Sequence, residues 1–251
     1  MTQSKISRLE TGAVMPDPAD VRRIAETLEL PAAVIDQLVE DAGNEYNRML
    51  DLRTGTKLIE KQSEFGGFER KSRVIRLFNP TTVPGLLQTD VYAKSIMTAA
   101  FRLASKPAQG PSESEILEAI AARIRRRETL YGRTNRVAIL LSESALANRV
   151  AEDIVMLRQI EFIQQAAAAG RFEIRILPFA QRLPVPLASG FEVADERWLI
   201  VDLFNTVVTS EGRDDIRQYV RVFEELWEVA TPEVEPILAE YARRYKSSSS
   251  S

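Results

Sequence analysis

Residues 151–177 read AEDIVMLRQIEFIQQAAAAGRFEIRIL, and they contain the two patterns that decide the fold. The segment from Ala151 to Ala169 is apolar nearly all round, which predicts a buried helix. From Phe172 to Leu177, apolar and charged side chains alternate with the two-residue period of a β-strand. A long helix followed by a strand is typical of a domain in which helices cover a sheet.

The same kinds of element continue outward from this stretch. Further strands are predicted at Arg73 to Phe78, Val137 to Leu141, Trp198 to Leu203, and around Phe191 and Val193. Two helices show apolar stripes at helical spacing. One begins at a capping box formed by Ser112 and Glu115 and carries Ile116, Ile120 and Ile124; the other, Asp214 to Val229, carries Ile216, Val220, Phe223 and Trp227. Residues 54–246 are therefore expected to form an α+β (mixed α/β) domain, a mixed sheet with flanking helices.

The N-terminal segment, residues 1–53, is predicted to be all helical. Its second helix begins at Asp17, a good N-cap residue, followed by Pro18 in the first turn. The third helix is expected to continue through Met49 and Leu50 as a connecting helix. A stretch rich in threonine and glycine follows it and marks the boundary with the larger domain.

The composition excludes several kinds of chemistry. The 251 residues include no histidine and no cysteine, which rules out disulfides, cysteine nucleophiles, histidine bases and the usual zinc sites. The net charge of -3 gives no overall attraction to nucleic acid or anionic membranes. Since the chain has neither a signal peptide nor a long apolar run, we expect a cytoplasmic protein without a membrane partner. The run Ser247 to Ser251 is predicted to be a disordered tail.

The common catalytic motifs are also missing, so neither a catalytic residue, a metal ligand nor a cofactor is expected. One alternative is a carboxylate-dependent enzyme that uses Glu143, Asp195, Glu196 and Asp202. Another is a pocket covered by the proline-rich stretch from Leu177 to Gly190. Its apolar residues Phe179, Leu183, Val185 and Leu187 would form either a lid or a packed loop.

The first resemblance to a known family lies at the N-terminus. The segment Gln3 to Glu10, followed by Gly12 and a proline-started helix, resembles the second half of an Xre-type, lambda-repressor-like helix-turn-helix. The resemblance implies that this segment is the recognition helix, and that two preceding helices of the family pattern lie outside this chain. The alternative is an ordinary amphipathic helix.

As a recognition helix, the segment has suitable side chains for DNA. Gln3 can pair with adenine, Lys5 and Arg8 can reach guanine or phosphate, and Ser4 and Ser7 can donate to phosphate. These five residues are the predicted DNA-binding set. Ile6 and Leu9 are expected to turn inward and anchor the helix.

The second resemblance covers the larger domain. The run Val83-Pro84-Gly85-Leu86-Leu87-Gln88-Thr89, followed by Tyr92 and Ala93, looks like the signature of an actinobacterial family of antitoxin-like transcriptional regulators. Further landmarks follow in order: Arg123, Arg126, Arg127 and Leu130; Ser142 to Leu146; Met156, Arg158 and Gln159; Leu177-Pro178; and Ser189-Gly190-Phe191. The resemblance implies a homodimer that binds DNA, a small partner protein encoded nearby and possible small-molecule effectors.

Five residues are predicted to bind the partner or effector: Gln88, Tyr92, Arg123, Arg126 and Arg127. Gln88 is interpreted as the signature residue with a free polar head. A helical projection places the three arginines on one face, where they could hold a phosphate or an acidic surface. The alternatives are a solvated stripe, or pairing with acidic side chains of neighbouring helices.

Together these patterns favour a transcriptional regulator of the antitoxin-like Xre class. The alternative of another class is a protein- or ligand-binding module that has lost DNA binding, and a carboxylate-dependent enzyme is the third hypothesis.

Overall fold

The computed structural model describes residues 2–10, 17–51, 66–102, 112–131, 135–203 and 206–248. The helices are α1 (Gln3–Glu10), α2 (Pro18–Thr27), α3 (Ala32–Tyr46), α4 (residues 66–71), α5 (Asp90–Arg102), α6 (Glu113–Tyr131), α7 (Glu143–Ala147), α8 (Asp153–Ala168), α9 (Arg213–Val229) and α10 (Glu235–Ser248). The strands are β1 (Asn47–Asp51), β2 (Val74–Asn79), β3 (Arg136–Ser142), β4 (Glu173–Leu177), β5 (Phe191–Ala194), β6 (Trp198–Asp202) and β7 (Thr206–Ser210).

The seven strands form one mixed sheet in the order β1-β7-β6-β5-β2-β3-β4. β2, β3 and β4 are parallel and are joined by helical crossovers, whereas β5, β6, β7 and β1 are antiparallel to their neighbours. The α+β class and the mixed sheet with flanking helices predicted from the sequence are confirmed.

Side chains that alternate along the strands supply a core on each face of the sheet. In β3, Ile139 and Leu141 point to the face covered by α8 and α10, whereas Leu140 points to the face covered by α9. All three side chains are completely buried. The domain is therefore a sheet between two helical layers, and burial on both faces explains why β3 reads as a continuous apolar run.

Several predicted elements are confirmed with small shifts of their ends. The capping box is present: the Ser112 hydroxyl accepts from Glu115 N at 3.2 Å, and the Glu115 carboxylate accepts from Ser112 N at 2.7 Å. α8 is less buried than predicted, since Ile154 is exposed and one face of the helix makes the core contacts. The other face meets solvent and carries Arg158, Glu161 and Gln165 beside Ile154.

The predicted connecting helix is wrong at its C-terminal end. α3 ends at Tyr46, and the next residues form β1, where Met49 pairs with Val208 and Leu50 with Val207 of β7. Pairing along this edge of the sheet overrides the weak helical pattern. The residues of the predicted boundary fall largely outside the described residues.

The C-terminal end also differs from the prediction. α10, which the sequence analysis did not predict, packs Leu238, Tyr241 and Tyr245 into the core. It extends through Ser247 and Ser248, whose hydroxyls both donate to the carbonyl of Arg244. The prediction of a disordered tail is therefore wrong for Ser247 and Ser248. Residues 249–251 lie outside the described residues.

Candidate ligand site

The signature segment from Val83 to Thr89 forms a tight buried turn. Residues Gly85–Leu87 make one turn of 3-10 helix, and Val83, Leu86 and Leu87 are completely buried. The predicted cap is confirmed, because the Thr89 hydroxyl accepts from Tyr92 N at 3.3 Å. The turn joins β2 to α5 and packs against α6 and α8, so its hydrophobic residues have a structural role.

Gln159 of α8 holds this turn from the other side. Its side-chain oxygen accepts from Thr89 N at 2.8 Å, and its nitrogen donates to Leu87 O at 2.7 Å. Since Gln159 is completely buried, it satisfies two backbone groups that water cannot reach. The sequence named Gln159 only as a landmark, because nothing in its surroundings shows that it would face a turn 70 residues away.

Two of the predicted binding residues are internal to the fold. Gln88 is buried, its side-chain nitrogen donates to Val83 O at 2.6 Å, and its side-chain oxygen accepts from Arg123. The interpretation of Gln88 as a free polar head is therefore wrong. Tyr92 is completely buried, and its hydroxyl accepts from Val83 N at 3.2 Å. Burial raises the pKa of Tyr92 to about 12, so its hydroxyl stays protonated.

Arg123 of α6 lies directly over the turn. A Cβ atom added to Gly85 would lie 3.2 Å from Arg123 Nε, so glycine permits this close approach. The guanidinium donates to Gln88, but its buried Nε atom has no hydrogen-bond partner. No carboxylate of the described residues forms an ion pair with Arg123. Burial, with a smaller contribution from nearby Arg126, lowers the pKa of Arg123 to about 10, and the negative charge of Asp202 partly opposes this shift.

Arg126, one turn further along α6, is paired with buried carboxylates. Its Nε lies 2.6 Å from Glu69 Oε2, and its terminal nitrogen lies 3.8 Å from Glu192 Oε2. Burial raises the pKa of both glutamates, and that of Glu192 more strongly because Glu69 lies beside it. We therefore assign the shared proton to Glu192 and the charge opposite Arg126 to Glu69.

The substitution Glu192→Gln should stabilise the protein at neutral pH and have no effect in acid. The folded protein holds the proton of Glu192 more tightly than the unfolded chain does, so wild-type stability falls as pH rises above about 4.5, the ordinary pKa. Because one unit of pKa shift corresponds to about 1.4 kcal/mol, we expect a gain of at least about 1 kcal/mol near pH 8.

Urea unfolding at a series of pH values measures this gain. Glu173→Gln is the matched control, since its hydrogen bond with Arg136 lowers the pKa of Glu173 and the substitution cannot stabilise the protein in the same way. A destabilised Glu192→Gln variant at neutral pH would contradict a protonated Glu192.

Arg127 is the third predicted arginine, and it also contacts the turn. It donates to Gln88 O at 2.9 Å, and its guanidinium lies 4.7 Å from the ring centre of Phe162. The structure thus brings Gln88 and the three arginines together, but it turns them toward the sheet and the turn. Pairing with acidic side chains of neighbouring helices, one of the alternatives left open by the sequence, describes Arg126, which pairs with Glu69 of α4.

A cavity of about 660 Å³ opens beside Arg123. Its walls come from the end of β2, the signature turn, α5, α6 and the segment before β5. They are formed by Asn79, Pro80, Thr81, Thr82, Val83, Gly85, Gln88, Ile96, Met97, Ala99, Ala100, Arg123, Val150, Ala188, Ser189, Gly190, Asp202 and Leu203. A smaller cavity of about 90 Å³ adjoins it, shares Asn79, Gly85, Arg123 and Asp202, and reaches Arg126 and Glu192.

Asn79 and Gly190 form the wall opposite α5. A Cβ atom on Gly190 would lie 2.9 Å from the Asn79 amide, so this glycine makes room for a polar side chain at the cavity. Three residues of the site were not predicted from the sequence: Asn79, Glu69 and Glu192. Only Glu192 carried a signal, as a charged residue in a short apolar strand.

The four carboxylates of the enzyme hypothesis do not form one site: Asp195 and Glu196 share the turn between β5 and β6, whereas Glu143 and Asp202 belong to other parts of the fold. Glu143 accepts from the Tyr241 hydroxyl at 3.0 Å and from Phe179 N at 2.7 Å. Asp195 accepts from Arg73 N and Val74 N, both at 2.8 Å, which fixes a turn of positive φ between β5 and β6. Within the described residues, no cluster of three or more carboxylates suits a metal ion.

The proline-rich stretch is a packed loop, with one exception. Leu183, Val185 and Leu187 pack against the core on the α9 face, so they do not cover the cavity as a lid. Phe179 is 62% exposed. The part of this stretch that does line the cavity is its end, at Ala188 to Gly190.

The predicted recognition helix is α1, and four of its predicted DNA-binding residues face solvent: Gln3, Ser4, Ser7 and Arg8. The fifth, Lys5, forms an ion pair with the buried carboxylate of Asp20 on α2. The expectation that Ile6 turns inward is wrong, because its side chain is exposed, whereas Leu9 is half-buried as expected. Lys5 therefore supplies a contact between α1 and α2.

Comparison with known families fits this division of the chain. Residues 1–38 match a family described as a helix-turn-helix domain, which defines the class as a DNA-binding helix-turn-helix regulator. Residues 62–237 match the family described as "Domain of unknown function (DUF5753)". Since this match covers more than half of the sequence, the chain belongs to the DUF5753 family. No curated protein sequence matches it.

Among solved structures, the chain is similar to TrmBL2, described as an archaeal chromatin protein with a novel mode of DNA binding. The identity is 15% and the TM-score 0.37; the match covers 84% of this chain, which spans 65% of the length of TrmBL2. NucT from Helicobacter pylori matches at 8% identity and TM-score 0.44, covering 74% of this chain and 97% of NucT. Nuc from Salmonella typhimurium, a phospholipase D family member, matches at 12% identity and a TM-score of 0.35. The match covers 68% of this chain and 88% of Nuc.

These likenesses are too weak to carry a conclusion about function. Among the described residues, no helix has the length and apolar composition needed to cross a membrane.

Proposed function

We propose that the protein is a transcriptional regulator of the antitoxin-like Xre class. The observation that carries this proposal is the helix-turn-helix match at residues 1–38, in which α1 presents polar and basic side chains to solvent. In the proposal, Gln3 and Arg8 read base edges while Ser4 and Ser7 donate to phosphate. Lys5 positions α1 on α2 through its ion pair with Asp20.

The larger domain has the regulatory role in this proposal. It binds a small-molecule effector or a small partner protein encoded nearby, and it supports a homodimer in the cytoplasm. The described cavity favours the effector, since pockets of this size are typical of small-molecule sites. No catalytic step is included.

The substitution Arg8→Ala should weaken DNA binding by about tenfold or more, because a good contact to a base is worth about 1–3 kcal/mol. The test is a mobility-shift titration on the DNA upstream of the protein's own coding sequence, at one stated salt concentration. Arg182→Ala is the control, since Arg182 is exposed in the larger domain and carries the same charge. Equal losses of DNA affinity in Arg8→Ala and Arg182→Ala would contradict direct recognition of DNA bases by α1.

The second candidate function is a ligand-binding module without DNA binding, and the cavity beside Arg123 favours it. The same titration separates the candidates. No sequence-specific shift, together with a ligand bound in the cavity, would support the second candidate over the first.

A further inference from the structure

We propose that the cavity beside Arg123 is a binding site for a small monocarboxylate with an apolar body. The proposal deepens the proposed function, in which the larger domain takes an effector, by assigning the site and the chemical class of ligand. It rests on the charge inside the cavity, the shape of the walls and the position of the polar groups.

The charge at the inner end of the cavity calls for an anion. Arg123 has one neutral partner, Gln88, and its Nε is buried without a hydrogen-bond acceptor. The negative charge of Asp202 acts on Arg123, but no carboxylate of the described residues forms an ion pair with it. A largely buried cation without a carboxylate in direct contact is costly, and such a group in a cavity marks a candidate ligand site. A guanidinium binds a carboxylate through two parallel hydrogen bonds, which is the geometry that a planar ligand head supplies.

The surroundings of Arg123 limit that ligand to one negative charge. Arg126 is already opposed by Glu69, and Glu192 holds the shared proton, so Arg123 is the cation that lacks a paired carboxylate. Asp202 lines the cavity as well, and it would repel a second negative charge such as that of a phosphate dianion. A carboxylate therefore fits better than inorganic phosphate.

The rest of the cavity fits an apolar body. Ile96, Met97, Ala99 and Ala100 of α5 form one wall, and Val83, Val150 and Leu203 extend the apolar lining. The Asn79 amide stands at the opposite wall, close to Gly190, where it can donate to the ligand head. A volume of about 660 Å³ accommodates a ligand larger than a simple anion.

Isothermal titration calorimetry of the purified chain with 4-phenylbutyrate tests the assignment. Two compounds serve as controls: 4-phenyl-1-butanol has the apolar body without the charge, and inorganic phosphate has the charge without the apolar body. We expect 4-phenylbutyrate to bind saturably to the wild type, and the affinity to fall about tenfold or more in Arg123→Gln. The affinity should be unchanged in Arg125→Gln, the control, because Arg125 is an exposed arginine of the same helix. Binding of the alcohol or of phosphate should be weaker than that of the acid.

A second pair of variants tests the apolar wall without touching Arg123. Ala100→Trp should block the cavity and remove 4-phenylbutyrate binding, whereas Thr98→Trp, exposed on the same helix, should leave it intact. Circular dichroism checks that each variant is folded. Absence of 4-phenylbutyrate binding in the wild type, equal binding in Arg123→Gln, or tighter binding of phosphate or the alcohol would overturn the proposal.

This titration contains no DNA, so its failure and a failed mobility shift are separate results. Ligand binding without a DNA shift would support the proposed ligand site and contradict the proposed regulatory function. A DNA shift without ligand binding would support the proposed regulatory function and contradict the proposed ligand site.

Discussion

Replacement of Arg126 by leucine should lower the free energy of unfolding by about 3–5 kcal/mol, because removing one partner of a buried ion pair leaves the other charge without compensation. Arg126 donates a hydrogen bond to Glu69 Oε1 at 2.9 Å and forms an ion pair with Glu69 Oε2, and Glu69 is completely buried. Leucine would leave Glu69 beside Glu192 without the cation that pairs with both carboxylates. Urea unfolding at neutral pH measures the loss.

Two further variants make this result specific. Arg125→Leu removes an exposed arginine next to it on α6, and we expect a change of less than about 1 kcal/mol. The double variant Arg126→Leu with Glu69→Met should recover most of the loss, since an apolar replacement of a whole buried pair is often close to neutral. Equal effects of Arg125→Leu and Arg126→Leu would contradict the buried pair.

Replacement of Gln159 by leucine should lower the free energy of unfolding by about 2–4 kcal/mol, because each buried backbone group left without a hydrogen bond costs about 1–3 kcal/mol. The groups concerned are Thr89 N and Leu87 O, both bonded by Gln159. Leucine has nearly the same volume, so lost packing contributes little. The loss is measured by urea unfolding.

The matched control is Gln165→Leu, since Gln165 is exposed on the same helix. We expect its free energy of unfolding to stay within about 0.5 kcal/mol of the wild type. If Gln159→Leu behaved like Gln165→Leu, the signature turn would not depend on α8.

The sequence predicted the parts of the fold that depend on local periodicity. The strand at Glu173–Leu177 and the helix at Arg213–Val229 show clean alternation and a clean apolar stripe, respectively, and both are present. Strand β7, which lies between β1 and β6, was missed because its sequence, TVVTS, has no strong alternation of apolar and charged residues. α10 was missed although Leu238, Tyr241 and Tyr245 follow a helical spacing that could have been recognised.

The candidate site was predicted in its residue types but only partly in its geometry. A projection of α6 correctly grouped Arg123, Arg126 and Arg127, because helix geometry alone fixes that relation. It could not show that this face turns inward, since the partners that stabilise the buried arginines come from distant parts of the chain. Gln88 lies 35 residues before Arg123, and Glu69 lies 57 residues before Arg126.

The most direct test of the regulator is selection of DNA from a random library by the purified chain at one fixed salt concentration, followed by sequencing. The account predicts one enriched motif, whose preference at a single adenine is relaxed in the variant Gln3→Ala. If no motif were enriched over the input library, the result would contradict the claim that this chain recognises DNA sequence through α1.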